Sequence, residues 1–169
     1  MYPFLPLLLK KSVTEIGHIK EMSQLVLASF SENCGYDISF TSISIHYLVA
    51  AEFCLDKNVK ISELSIKLLA RLIEKVGPSI TQLSPATLQC LMQSLIILIK
   101  GKRENLKTSA LDVCMFIYGQ IGADNYMNLM QYSFQNEDIQ IMGNAMENHR
   151  TCQKNKPVPL AKVLRQRKT

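Results

Sequence analysis

The sequence contains no tryptophan, and tyrosine and phenylalanine bring the aromatic fraction to only 7%. A core must therefore be built mainly from Leu, Ile, Val and Met side chains. Glycine and proline are also scarce, with seven and six residues in 169, while hydrophobic residues make up 47% and charged residues 20%. This composition is typical of a folded globular chain, and the length is sufficient for one domain with its own core.

Long hydrophobic runs are absent. The longest apolar run after the N-terminal segment, residues 91–99, is far shorter than the span of about 20 residues that crosses a bilayer. The N-terminal segment "MYPFLPLLLKK" has no basic stretch before its apolar run and no small-residue cleavage site after it. We therefore expect no membrane partner and a soluble protein.

No two cysteines have the CxxC spacing of a zinc knuckle. Most of them lie in or at the end of apolar helical patterns, which predicts buried, reduced thiols in an intracellular protein. The cysteines are Cys34, Cys54, Cys90, Cys114 and Cys152.

Catalytic motifs are missing as well. The histidines His18, His46 and His149 are scattered, and no GxGxxG, GxxxxGK[ST], HExxH or GxSxG pattern occurs. We expect no catalytic activity, no metal and no cofactor.

Acidic residues are absent from residues 149–169, which contain seven Lys or Arg. The other 148 residues carry 12 basic and 14 acidic groups, so the formal charge of +5 comes from this end of the chain. This split weakens any inference of nucleic-acid binding from the basic pI, and nucleic acid is not the expected partner.

We divide the chain into a helical repeat domain, 1–148, and a basic C-terminal tail, 149–169, partly disordered or capping the last repeat. The tail residues expected to contact an acidic partner are Lys162, Arg165, Arg167 and Lys168.

A repeat is the strongest positive signal. Residues 19–35, 61–77 and 106–122 align without a gap at offsets of 42 and 45 residues. Each copy has apolar residues at steps of three and four, which predicts one face of an α-helix, and each copy ends in glycine, which favours a helix C-cap. The aligned apolar columns are Ile19/Ile61/Leu106, Val26/Leu68/Val113, Leu27/Leu69/Cys114, Phe30/Leu72/Ile117 and Cys34/Val76/Ile121, with Ser23/Ser65/Ala110 as a small-residue column.

A second apolar helix is predicted before each copy, over residues 2–11, 41–55 and 85–100. Ser84 followed by Pro85 fits a helix N-cap, and Ser12 to Glu15 fits a capping box that opens the second helix of the first pair. A fourth, shorter pair is predicted over residues 125–134 and 137–149. Two helices in 42–45 residues fall in the HEAT and armadillo range, so we predict an all-α solenoid of about four antiparallel, HEAT-like helix pairs.

The turns within the predicted pairs differ in charge from the turns between them. We name the within-pair turns the first turn (10–15), second turn (56–60), third turn (100–105) and fourth turn (135–138). The first three carry Lys10, Lys11, Lys57, Lys60, Lys100, Lys102 and Arg103, whereas the turns between pairs contain no Lys or Arg. Stacked pairs bring like turns into a row, so these residues predict a basic ridge suited to an acidic partner. Solvation of turns and complementation of helix dipoles are the alternative explanation.

Helix pairs that are basic along one edge resemble the TOG arrays of microtubule polymerases, CLASP proteins and crescerin-type proteins. The segments "FLPLLLKKSVTEIGHIKEMSQLVLASFSENCG" and "LIKGKRENLKTSALDVCMFIYGQIG" carry this resemblance. It implies a paddle of HEAT repeats whose within-repeat turns bind tubulin, a cytoplasmic and cytoskeletal location at a centrosome or cilium, and contact with further HEAT repeats of a parent chain. The implied tubulin-facing residues are Lys10, Lys11, Lys57, Lys60, Lys102 and Arg103.

The chain departs from that family in having four pairs instead of six and no tryptophan in the first turn. We therefore expect it to correspond to the later repeats of such an array. The alternative is a HEAT scaffold that binds a protein or peptide through a helical face or groove, without tubulin. A late cluster of methionines predicts either such an adaptable groove or, more simply, core filling: Met115, Met127, Met130, Met142 and Met146.

Overall fold

The computed structural model describes residues 4–33, 44–45, 48 and 53–154. Every regular element in this part of the chain is a helix, which confirms the predicted all-α class. Two 3-10 helices, Phe53–Leu55 and Gly77–Gln82, precede and follow the third of the α-helices named next. The α-helices are α1 (Phe4–Thr14), α2 (His18–Asn33), α3 (Val59–Val76), α4 (Pro85–Lys100), α5 (Glu104–Ile121), α6 (Ala123–Ser133) and α7 (Asn136–Lys154).

The core is formed mainly by aliphatic side chains of α3, α4 and α5. Helix α3 packs against α1, α2 and α5, and α4 packs against α5, α6 and α7. Leu69, Leu72, Leu91 and Leu95 are fully buried, and each such side chain stabilises the fold by roughly 1.5–3 kcal/mol. Because α3 and α5 together contact all the other described α-helices, they fix the positions of the turns at their ends.

Helix starts and stops follow local side-chain chemistry. The Ser84 hydroxyl accepts a hydrogen bond from the Thr87 backbone N–H at 3.1 Å, and Pro85 occupies the first position of α4. This confirms the predicted N-cap. Gly77 and Gly122 end α3 and α5 at positive φ, 52° and 79°, as their place at the end of each repeat predicted.

The repeat columns match the burial pattern in two of the three copies. Ile61 and Leu68 of α3 are 4% and 5% exposed, and Leu106 and Val113 of α5 are 3% and 2% exposed. The equivalent residues of α2, Ile19 and Val26, are 49% and 42% exposed. The first copy therefore exposes these two columns, although its Ser23 and Leu27, each 5% exposed, are buried like their equivalents in α3 and α5.

The capping box predicted at Ser12 is wrong. Helix α1 continues to Thr14, and the buried Ser12 hydroxyl donates to the Leu9 carbonyl oxygen at 2.8 Å within that helix. The bend instead uses Gly17, at φ 62°, directly before α2. The serine hydroxyl satisfies a carbonyl of its own helix, so it does not serve as the cap of the next one.

The two helices predicted over residues 125–134 and 137–149 correspond to α6 and α7. Helix α7 extends to Lys154, five residues past the predicted end at His149, so the first part of the predicted tail is helical. The four tail residues Lys162, Arg165, Arg167 and Lys168 lie outside the described residues. Most of the predicted helix 41–55 does too, although Ser44, Ile45 and Leu48 are helical and buried.

Candidate functional site

The second turn is held in shape by its own hydrogen bonds. Asp56 Oδ1 accepts from the Asn58 backbone N–H at 2.7 Å, and Asn58 Oδ1 accepts from the Lys60 backbone N–H at 3.1 Å. Ser62 donates from its hydroxyl to the Asp56 carbonyl oxygen at 2.7 Å. These bonds cap α3 and present Lys57 and Lys60 on a fixed backbone, with both side chains exposed.

The third turn lies directly against the second. The Arg103 guanidinium donates to the carbonyl oxygens of Asp56 and Lys57 at 3.4 and 3.3 Å. Lys102 and Arg103 also line a cavity of about 240 Å³ with Cys54 and Leu55. The structure thus brings Lys57, Lys102 and Arg103 together. Two of the hydrogen bonds that Arg103 can donate are made within the protein.

The fourth turn is tied to the third by an ion pair between Lys100 and Asp138. Lys100 is the last residue of α4 and Asp138 lies in the first turn of α7, so each charge also complements the dipole of its helix. This contact neutralises one basic residue of the third turn.

The first turn is close to the second through a shared cavity. Ser12 and Val13 line a space of about 300 Å³ together with Lys60. Lys10 and Lys11 belong to the last turn of α1, where Lys11 lies 4.0 Å from Glu15 in an exposed i, i+4 pair. Such a pair contributes little, about 0.3–0.5 kcal/mol.

Four of the six predicted tubulin-facing residues keep their charges available. Among the described residues, no carboxylate forms an ion pair with them, and their side chains are exposed. They are Lys10, Lys57, Lys60 and Lys102. The arrangement can attract an acidic surface by Coulomb forces, which increases association rates most strongly at low salt.

A groove between α2 and α3 was missed by sequence reasoning. Its walls contain Lys20 from α2 and Lys60, Lys67 and Arg71 from α3. The i, i+7, i+11 spacing of the three α3 residues places them on one face of that helix, and this signal was present in the sequence.

Two residues of the methionine cluster fill the core and three line a cavity, while the role of that cavity as a binding groove stays a prediction. Met130 and Met142 are buried, whereas Met115, Met127 and Met146 line a cavity of about 360 Å³. The cavity also contains Tyr118 and Tyr126, whose rings meet edge to face with centroids 5.5 Å apart. The Tyr126 hydroxyl donates to the sulfur atoms of Met142 and Met146 at 3.1 and 3.4 Å.

The buried thiols carry no sign of reactivity. Burial raises the pKa of Cys54 to about 12. Burial likewise raises the pKa of Cys114 to about 12, against the opposing effect of a hydrogen bond with Tyr126. These are inert core residues, since the thiolate is the reactive form. Cys90 is free and half-buried, while Cys34 and the Cys152 side chain lie outside the described part of the chain.

Within the described residues, no cluster of three or more His, Cys, Asp or Glu side chains is placed to hold a metal ion. No helix there is both long and apolar enough to span a membrane.

Comparison with known proteins gives no guide to identity. No protein-family model, no curated protein and no solved structure matches this chain. Functional inference therefore depends on the geometry described above.

Proposed function

We propose that this chain is a non-catalytic protein-binding module. It is arranged as a HEAT-like stack of about four antiparallel helix pairs, and it binds tubulin or another acidic protein surface through its within-pair turns. The observation that carries the proposal is the contact of Arg103 with Asp56 and Lys57, because it puts two basic turns, 46 residues apart in sequence, side by side. Two further contacts extend this row of turns. Val13 and Lys60 line one cavity, which brings the first turn close to the second, and Lys100 pairs with Asp138, which ties the third turn to the fourth.

The row is basic in its first three turns. Lys10, Lys57, Lys60 and Lys102 offer charges without an ion-pair partner among the described residues. An acidic surface that faced the row would meet several lysines at once, and such a network contributes more than isolated surface pairs. Tubulin enters the proposal from the resemblance to TOG arrays, and it is the first partner to test.

The test is co-elution with tubulin on size-exclusion chromatography at low salt. We expect the unmodified chain to elute earlier when tubulin is present, because it forms a complex. The double variant Lys57→Glu/Lys102→Glu should lose most of this change in elution volume. Arg103 is left intact because its contacts stabilise the second and third turns. The matched control is Lys75→Glu, an exposed residue of α3 outside the turns. Unchanged co-elution of the double variant would contradict the role of the turns.

A second candidate is a HEAT scaffold that packs against further helical repeats and does not bind tubulin. The exposed columns of α2 favour it, because Ile19 and Val26 occupy positions that α3 and α5 bury. Met22, 45% exposed, lies between them on the same face. Under this function the unmodified chain does not co-elute with tubulin. Val26→Glu instead abolishes co-elution with a helical-repeat partner, while Lys57→Glu/Lys102→Glu leaves that co-elution intact. The reverse result identifies the turns as the binding surface.

A further inference from the structure

The groove between α2 and α3 joins an apolar floor to basic walls. Two contiguous cavities of about 230 and 300 Å³ form it, and they share Gln24, Leu64 and Lys67. Gln24 donates from Nε2 to the Ser12 carbonyl oxygen at 3.4 Å, which braces the wall contributed by α2 against the end of α1. The groove therefore begins beside the first and second turns and continues between the two helices.

The floor of the groove is aliphatic. Leu27 and Leu68 are each 5% exposed and close the bottom, while Leu64 is half-buried and reaches into the space. Among the described residues, no aromatic side chain lines either cavity. Single-stranded nucleic acids depend on aromatic platforms for base stacking, so this floor is better suited to an aliphatic side chain than to a base.

The walls carry an excess of positive charge. Lys20, Lys60, Lys67 and Arg71 line the groove, and Glu63 is the one carboxylate among the described residues of its lining, which leaves a surplus of three charges there. Within the described residues none of the four cations is ion-paired. Lys60 and Arg71 are eleven positions apart on α3, with Lys67 between them, which is a length of about 17 Å.

We propose that this groove binds a peptide segment of a partner protein in which acidic residues flank an aliphatic side chain. The aliphatic side chain enters between Leu27, Leu64 and Leu68, and the carboxylates pair with Lys67 and Arg71 on one side and Lys20 on the other. A length of about 17 Å accommodates an extended peptide of roughly five residues. Lys60 is shared with the second turn, but the site does not depend on tubulin binding by the turns, because Lys20, Lys67 and Arg71 lie outside all four turns.

The experiment uses the full chain as bait for a phage-displayed library of random 12-residue peptides. We expect selected peptides to combine Asp or Glu with Leu, Ile or Val. The best peptide, labelled with fluorescein, is then titrated by fluorescence anisotropy against the unmodified chain and Lys67→Glu/Arg71→Glu. Both substituted side chains are exposed, so the fold is expected to persist, and circular dichroism checks this. We expect the Kd to increase at least roughly tenfold, because the double reversal replaces attraction by repulsion.

Two controls locate the binding site. Lys75→Glu makes the same charge change on the same helix outside the groove and should leave the Kd within about twofold. Lys57→Glu/Lys102→Glu should also leave it within about twofold, which separates this groove from the turns. Amide shifts in a ¹⁵N spectrum should concentrate on α2 and α3 when the peptide is added.

The proposal is overturned if the selected peptides lack acidic residues, if Lys67→Glu/Arg71→Glu binds equally well, or if Lys75→Glu weakens binding as much. It is also overturned if a 12-nucleotide single strand displaces the peptide and binds the groove more tightly, because the groove would then be a nucleic-acid site.

Discussion

The Arg103 guanidinium donates a hydrogen bond to the Lys57 carbonyl oxygen at 3.3 Å, across 46 residues of sequence. It makes a second bond, at 3.4 Å, to the carbonyl oxygen of Asp56. One basic side chain thus fastens the third turn to the second, and it does so through backbone atoms that any residue at position 57 would provide. The side-chain ammonium group of Lys57 is exposed and remains available to a partner.

This contact predicts a role for Arg103 in stability. Arg103→Ala should lower the free energy of unfolding by about 0.5–1.5 kcal/mol, because it removes exposed hydrogen bonds and leaves both carbonyl oxygens accessible to water. Arg103→Lys should recover only part of the loss, since an ammonium group does not present the planar fork that reaches two acceptors. Urea denaturation measures both values.

The matched control for Arg103 is its neighbour Lys102, which is exposed and forms no ion pair among the described residues. Lys102→Ala should change the free energy of unfolding by less than about 0.5 kcal/mol. Equal losses for Lys102→Ala and Arg103→Ala would show that the guanidinium contacts do not stabilise the turns.

Helices α3 and α5 were predictable from the sequence. Their apolar periodicity and terminal glycines predicted both helices and their buried columns, because these signals are local and the copies reinforce one another. Ser12 shows where local reasoning failed. A hydroxyl followed three residues later by Glu15 fits a cap, but burial of Ser12 inside α1 provides a competing acceptor, the Leu9 carbonyl oxygen.

The candidate sites were predictable to different degrees. The proximity of the second and third turns was expected from the repeat, but the use of Arg103 as a brace was not, because a sequence does not show which side chain reaches a distant carbonyl. The groove between α2 and α3 joins residues of two different predicted pairs. Its floor, Leu27, Leu64 and Leu68, becomes a site only when the packing of the two helices leaves a gap between them.

Ser65 is a position where a smaller and less polar residue should stabilise the protein. Its hydroxyl is fully buried and has no hydrogen-bond partner among the described residues. The equivalent residue of α5 is Ala110, which is also fully buried and therefore shows that alanine fits the column. Ser65→Ala should raise the free energy of unfolding by roughly 1 kcal/mol, because it removes an unsatisfied polar group.

The control for Ser65 is the third member of the same column. Ser23 is 5% exposed, and its hydroxyl donates to the Ile19 carbonyl oxygen at 2.8 Å. Ser23→Ala therefore removes a hydrogen bond and should give no comparable gain. Equal stabilisation by both substitutions in urea denaturation would point to helix propensity instead of the unsatisfied hydroxyl.

The buried thiols predict how stability depends on alkaline pH. Burial raises the pKa of Cys54 and of Cys114 from 9.0 to about 12. Between pH 9 and 12 the unfolded chain therefore loses thiol protons that the folded chain keeps, so the free energy of unfolding falls as pH rises. The fall approaches about 1.4 kcal/mol per pH unit for each thiol, and these groups contribute no slope well below pH 9, where both states keep the thiol protons.

Urea denaturation at pH 8.5 and 10.5 measures the alkaline loss. Cys114→Ala should be less stable at pH 8.5, because it leaves a cavity, but it should lose less stability than the unmodified chain between the two pH values. Equal losses would contradict a contribution of this thiol to the slope. Tyr126 also lowers the free energy of unfolding as pH rises, but at higher pH. Its pKa is raised above its ordinary range, and burial is the largest cause.

Two glycines at the end of α5 should respond to alanine in opposite directions. Gly122 has φ 79° and ψ 168°, a conformation that is essentially restricted to glycine, so Gly122→Ala should cost about 1–3 kcal/mol of unfolding free energy. Gly119 lies inside the helix on an exposed face, and a Cβ added there meets no atom within 4 Å. Gly119→Ala should therefore stabilise the protein by about 0.5–1 kcal/mol, because alanine loses less backbone entropy on folding.

A Cβ at Gly122 also meets open space, so a loss of stability there reports the backbone angle and not a collision. If thermal denaturation moved both variants in the same direction, α5 would not end at Gly122 with the backbone angles described.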